Sequence, residues 1–331
     1  MSKKVKDTDY LYLSTYLRAQ EPKMLGRDRI ERMLTAKTAA DAARILEECG
    51  YGTFETVTAS VLEEKIAARR AAVMEDLARL APDVRVVDAF RVRYDYHNAK
   101  VLVKSGGTRG QALLSSAGRV PPQQMEEAFS TGSFAGLPQP LAAAMCDARD
   151  TLARSGDPQL ADFILDKAYF EEFLKLAQAC GSAFLEGYVR LSADCANLKS
   201  AVRAQRMGKD AAFCRKALVP AGTVDSGRLA GRMAAREPLA PLFDGTRLSA
   251  AARAGDEAVA GGRLTEFERA CDNAQVEYLR AAKLTGFGEK VLVCFICALE
   301  NELSTARIVL TGRIGGLDEH VIRERLRESY V

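Results

Sequence analysis

One six-residue pattern occurs three times in this chain, and it restricts the fold more than any other feature. It reads acid, two residues, small polar, one residue, base. The copies are Asp95-x-x-Asn98-x-Lys100, Asp194-x-x-Asn197-x-Lys199 and Glu302-x-x-Thr305-x-Arg307, with their acids 99 and 108 residues apart. Apolar residues follow each base: Val101 to Val103, Ala201-Val202, and Ile308 to Leu310. Self-similarity at a regular spacing signals a repeated structural unit, and this period exceeds the roughly 20–50 residues of common solenoid repeats. Three large units gathered around an axis fit it better than a superhelical stack.

Each copy lies on the second of two long helical patterns. In the first pair, Val57, Val61, Leu62, Ile66, Val73 and Leu77 form the apolar stripe of a helix expected over 54–80. Pro82 ends it, because proline cannot continue the hydrogen-bond ladder. The partner helix runs over 84–104 and stops at Gly106-Gly107. The second pair starts at Asp157-Pro158, an N-cap with proline in the first turn. Gly181 divides it from a helix over 182–206. The third starts near Leu264, breaks at Gly286 and Gly288, and resumes over 289–311.

Gly- and Pro-punctuated segments at 26–51, 121–144 and 222–252 separate the pairs and read as small helices. Another such element is expected around Val321 to Leu326. An N-terminal helix over 10–20 carries Arg18-Ala-Gln20, an echo of Arg203-Ala-Gln205. The chain ends therefore complete each other's units and close a ring. The expected division is 1–115, 116–215 and 216–331. Good helix formers dominate the composition and Trp is absent. The fold class is all-α.

The chemistry is sparse. Net charge is +3, spread as acids and bases along helical patterns, which argues against a nucleic-acid partner. The longest apolar run, Val291 to Leu299, has nine residues, short of the roughly 20 needed to span a bilayer. No secretory pattern opens the chain, so a cytoplasmic setting with reduced thiols is expected for its eight cysteines. Cys294-x-x-Cys297 lies inside the apolar run and reads as core, since a metal site needs further ligands. His97 and His320 accompany no nucleophile motif, and His97 reads as packed or interfacial. The glycine clusters near 106–110 and 312–316 match neither a P-loop nor a dinucleotide fingerprint. No catalytic, cofactor or metal residue is expected.

Within the repeated pattern, acid and small polar residue share a helix face, whereas the base points roughly 140° away. Two roles are open. These residues hold adjacent units together through charge-assisted hydrogen bonds, or three such faces line a polar axial cavity that grips a partner.

The segments Tyr16-Leu-Arg18-Ala-Gln-Glu21, Leu80-Ala-Pro82-Asp83, Tyr94-Asp95-Tyr96-His97-Asn98-Ala-Lys100 and Leu264-Thr-Glu266-Phe-Glu268, with Glu300-Asn-Glu302 and Gly312-Arg313, resemble the C subunits of the V/A-type rotary ATPases, themselves similar to the d subunits of the eukaryotic enzymes. Ala99 stands where that family leads one to expect a larger aliphatic side chain. The resemblance implies a funnel of three helical units around a central cavity, lying on the cytoplasmic side of the membrane proteolipid ring. It implies a non-catalytic component that receives the D and F subunits of the central stalk and passes torque between stalk and ring, in ATP-driven ion transport or ATP synthesis. A helical adaptor of some other complex is the rival reading; an acid-cluster magnesium enzyme and an RNA-binding scaffold lack the clustered acids or the basic stripe they require.

Overall fold

The computed structural model describes residues 5–107 and 113–328. Among the described residues the protein is all-α and holds no strand. Its helices are α1 (Leu11–Gln20), α2 (Arg27–Thr35), α3 (Ala39–Glu48), α4 (Ala59–Leu80), α5 (Val84–Ser105), α6 (Pro122–Thr131), α7 (Gln139–Ser155), α8 (Pro158–Cys180), α9 (Ala183–Arg206), α10 (Ala211–Ala217), α11 (Ser226–Ala235), α12 (Ser249–Val259), α13 (Leu264–Arg280), α14 (Glu289–Ile314) and α15 (Glu319–Glu324).

Local chemistry sets many of these boundaries. Thr58, Asp157, Ser182, Asp210 and Asp225 each accept a backbone N–H from the first turn of the helix they precede. The Thr58 cap corrects the expected start at Phe54, because it fixes the first helical residue at Ala59. At the other end, Gly156 and Gly181 take left-handed backbone and close α7 and α8. The third-copy helix runs to Ile314, three residues past its expected end. α3, α7 and α12 are larger than the small elements expected between the pairs.

The chain forms two compact units, one drawn from Met1–Val87 with Val276–Val331, the other from Asp88–Gln275. In the first, α14 packs on α1, α2, α3 and α4. Its run from Val291 to Leu299 is buried on every side, as befits a helix at the middle of a core. Cys294 and Cys297 lie within that run, and none of the eight cysteines is in a disulfide. In the second unit, α9 packs on α8, α10, α11 and α12, and α7 lies along α8. α9 likewise buries Leu185, Val189, Leu198 and Val202. Among the described residues, no helix is long and apolar enough to cross a membrane.

Candidate functional site

The acids and small polar residues of the repeat sit on α5, α9 and α14 and are buried. Asp95 and Asn98 are 0% exposed, and Asp194, Asn197, Glu302 and Thr305 are also buried. A buried carboxylate is costly unless hydrogen bonds replace its lost water. Each acid here has such partners.

In the second copy, Asp194 accepts the Thr223 N–H at 2.9 and 3.0 Å, the Thr223 hydroxyl at 2.6 Å and the Val224 N–H at 3.1 Å. One turn along, Asn197 donates to the Val219 carbonyl at 2.9 Å and accepts the Val219 N–H at 2.7 Å. The first copy repeats this. Asp95 accepts the N–H groups of Arg119 at 2.8 Å and Val120 at 3.1 Å. Asn98 donates to the Ser115 carbonyl at 2.9 Å and accepts its N–H at 2.8 Å. In both copies the amide clamps one residue and the carboxylate clamps the fourth and fifth after it.

The clamped segments share a short pattern of their own, Ala117-Gly-Arg-Val120 and Ala221-Gly-Thr-Val224. Sequence reasoning missed it. Its glycines are required by proximity: a Cβ on Gly118 or Gly222 would fall on Oδ1 of Asp95 or Asp194. Each segment leads directly into a short helix, α6 or α11. The clamp thus fixes where the chain leaves one long helix and enters the next group of elements.

The third copy keeps the acid and changes its surroundings. Glu302 accepts the Leu25 N–H at 2.9 Å, just ahead of α2, from the opposite end of the chain. It also accepts the Tyr51 hydroxyl at 3.0 Å and Arg69 Nε at 2.9 Å. Burial, and then the Glu302 charge, push the Tyr51 phenol well above its ordinary value. Thr305 bonds within its own helix, to Asn301 at 3.4 Å, so the amide clamp has no counterpart among the described residues there.

The bases reach other helices, as their 140° offset directs. Lys100 on α5 meets Asp166 on α8 at 2.5 Å; Lys199 on α9 meets Asp272 on α13 at 2.6 Å; Arg307 on α14 meets Glu63 on α4 at 2.5 Å. Each second helix is tied to the first helix of another pair, and the third tie runs from the last pair to the first. Six residues beyond two of these acids stand Glu172 and Arg69. Arg69 meets Glu302 directly. Glu172 carries the same sign as Asp95, and Arg119 bridges them, with Nε 2.7 Å from Asp95 and Nη2 2.8 Å from Glu172. Tyr96 donates to Glu172 at 2.9 Å. Burial raises the Asp95 carboxyl above its ordinary value, although Arg119 opposes the shift.

Of the two settings expected for His97, packed or interfacial, the packed one does not hold. Its side chain is exposed, with Nε2 3.0 Å from the Leu113 carbonyl, because it lies on the helix face away from Asp95 and Asn98.

Residues 13–325 match the family described as the ATP synthase (C/AC39) subunit. The chain is 21% identical over 329 residues to the C subunit of a V-type sodium ATPase from Enterococcus hirae, covering 97% of this chain and 99% of that protein. It is 23% identical to the C subunit of an A-type ATP synthase from Haloquadratum walsbyi, covering 95% and 96% of the two chains. It is also 23% identical to the C subunit of the A-type ATP synthase of Pyrococcus horikoshii, over 80% and 75%.

Proposed function

Since the chain belongs to the ATP synthase (C/AC39) subunit family, we propose that it is the non-catalytic central connector of a V/A-type rotary ATPase. In this role it joins the shaft formed by the D and F subunits to the membrane proteolipid ring. It passes torque between them from the cytoplasmic side, in ion transport or ATP synthesis. The observation that carries the reading is the family match over residues 13–325, which leaves almost none of the chain outside it.

The geometry supports the mechanical part. A torque link must not yield where its parts join. The buried clamps provide stiffness at such joints, since a charge-assisted hydrogen bond is worth roughly 1.5–3 kcal/mol and is costly to break inside a protein, and the three ties set the register of neighbouring helices. In this reading the three units, 1–115, 116–215 and 216–331, form a funnel about an axis. Asp95, Asn98, Lys100, Asp194, Asn197, Lys199, Glu302, Thr305 and Arg307 hold its walls in position rather than touch the shaft. The apposition of Leu25 with Glu302 supports closure of the ring through the chain ends.

Purification of the tagged full chain from cells expressing the D and F subunits and the proteolipid tests this. The expected result is a stoichiometric assembly of all four. Recovery of the chain with neither D–F nor ring, while D–F and ring retain each other without it, would refute the role.

A further inference from the structure

Two buried thiols from different helices touch inside the second compact unit. Cys195 on α9 is 2% exposed and Cys271 on α13 is 0% exposed. The Cys195 thiol donates to the Cys271 carbonyl at 3.6 Å. The Cys271 thiol donates in turn to the Cys195 sulfur. Both are free thiols.

The register of the two helices holds this contact in place. Cys195, Lys199 and Arg203 follow at intervals of four on α9, hence on one stripe. Cys195 is also hydrogen-bonded to Gln275. Lys199 meets Asp272 at 2.6 Å and Arg203 meets Glu268 at 2.5 Å. The partners step back along α13 as α9 advances, so the helices run antiparallel and two ion pairs flank the sulfurs on one side.

The repeat shows that this joint can be packed without sulfur. Cys195 directly follows the repeated acid, and Cys271 directly precedes the acid of the tie. The same two positions hold Tyr96 and Leu165 in the first copy, and Leu303 and Leu62 in the third, all buried. The second copy places a thiol at both. The hydrogen bond from Cys271 holds the Cys195 thiol below its ordinary value, although burial opposes the shift, and it pushes Cys271 above its own. One sulfur is thus the readier nucleophile, and the other keeps its proton for a second step.

We propose that Cys195 and Cys271 form an oxidation site, which hydrogen peroxide closes into a disulfide joining α9 to α13. Both thiols are buried, so the oxidant must be small, and peroxide is little larger than water. The Cys195 thiolate attacks one peroxide oxygen. An S–O bond forms, the O–O bond breaks, and the departing hydroxide takes up the Cys195 proton as water. The Cys271 sulfur then attacks the sulfenic sulfur. The S–S bond forms, the S–O bond breaks, and the second hydroxide leaves as water with the Cys271 proton. Two thiols are oxidised by two electrons in all, and peroxide is reduced to two waters. The bond joins residues 76 apart in sequence and fixes covalently a joint that the ties hold only in register. In a reducing compartment it is reversible, as such bonds there generally are. The proposal does not depend on the connector role.

The test treats the folded full-length chain, purified reduced, with graded hydrogen peroxide. Remaining thiols are alkylated in denaturant, and digestion with mass spectrometry maps every cysteine. The expected result is a Cys195–Cys271 link that forms before any other cysteine is modified and is reversed by dithiothreitol. The melting temperature of the linked chain should rise by roughly 5 °C or more, since the bond constrains the unfolded chain. The rise should be absent from Cys195→Ala and Cys271→Ala, whose folding is verified by circular dichroism. Wild type alone decides the chemistry should either variant fail to fold. Recovery of both thiols alkylated after treatment, oxidation of either to sulfinic acid without a link, or earlier linkage of another pair would overturn the proposal. A link that lowered the melting temperature would overturn the locking of α9 to α13.

Discussion

At the scale of single residues, the repeated acids are buried clamps on backbone N–H groups, and this predicts how they respond to substitution. Asp194→Ala leaves the Thr223 and Val224 N–H groups buried without their acceptor, and should cost about 2–4 kcal/mol in denaturant unfolding of the full chain. Gly222→Ala attacks the same contact from the other side, by driving a methyl into Asp194 Oδ1. The two costs should therefore overlap: the double variant should lose at least about 1 kcal/mol less than the two single losses added together, as expected of coupled neighbours. Strict additivity would show that the glycine and the acid do not act on one contact. The acids were legible in the sequence because their spacing repeats. What they hold was not, since the clamped segment lies 17 residues beyond Asn98 in one copy and 22 beyond Asn197 in the other. In the third copy it lies 277 residues away, at the other end of the chain.

Between elements, the conspicuous links are the ties from each second helix to another pair. Lys199–Asp272 and Lys100–Asp166 are part-buried and Arg307–Glu63 is more exposed, so each contributes modestly, on the order of 1 kcal/mol or less. Their value lies in register rather than in stability. The Arg307–Glu63 tie also carries a pH dependence. The hydrogen bond from Arg307 holds the Glu63 carboxyl below its ordinary value of 4.5, with the Arg307 charge acting in the same direction. A depressed acid stabilises the fold above its unfolded value and loses that contribution as pH falls through the folded one. Glu63→Gln should thus lower stability at neutral pH and flatten the loss below about pH 4.5, read from melting temperature against pH; a parallel curve would dissociate Glu63 from the acid response. The long helices were legible from periodicity and capping. α7 and α12 were not, because alanine dominates their apolar positions, large apolar side chains are few, and each holds a Pro or Gly of the kind that marks a break.

For the whole molecule, membership of the family is what links this architecture to a rotary machine, and the triplicated signature was the part of that architecture open to reading in advance. The union of both chain ends in one compact unit was suggested by the echo of Arg203-Ala-Gln205 in Arg18-Ala-Gln20, and the Glu302 clamp on Leu25 gives it a physical cause. The central claim is that the chain transmits torque and does no chemistry of its own. It is tested most directly by measuring ATP hydrolysis and ion transport together, in membranes bearing the host ATPase with and without this chain. Without it, hydrolysis by the catalytic head should persist while ion transport stops, and adding back the purified chain should restore transport. Ion transport undiminished in its absence, or hydrolysis that itself requires the chain, would contradict the account.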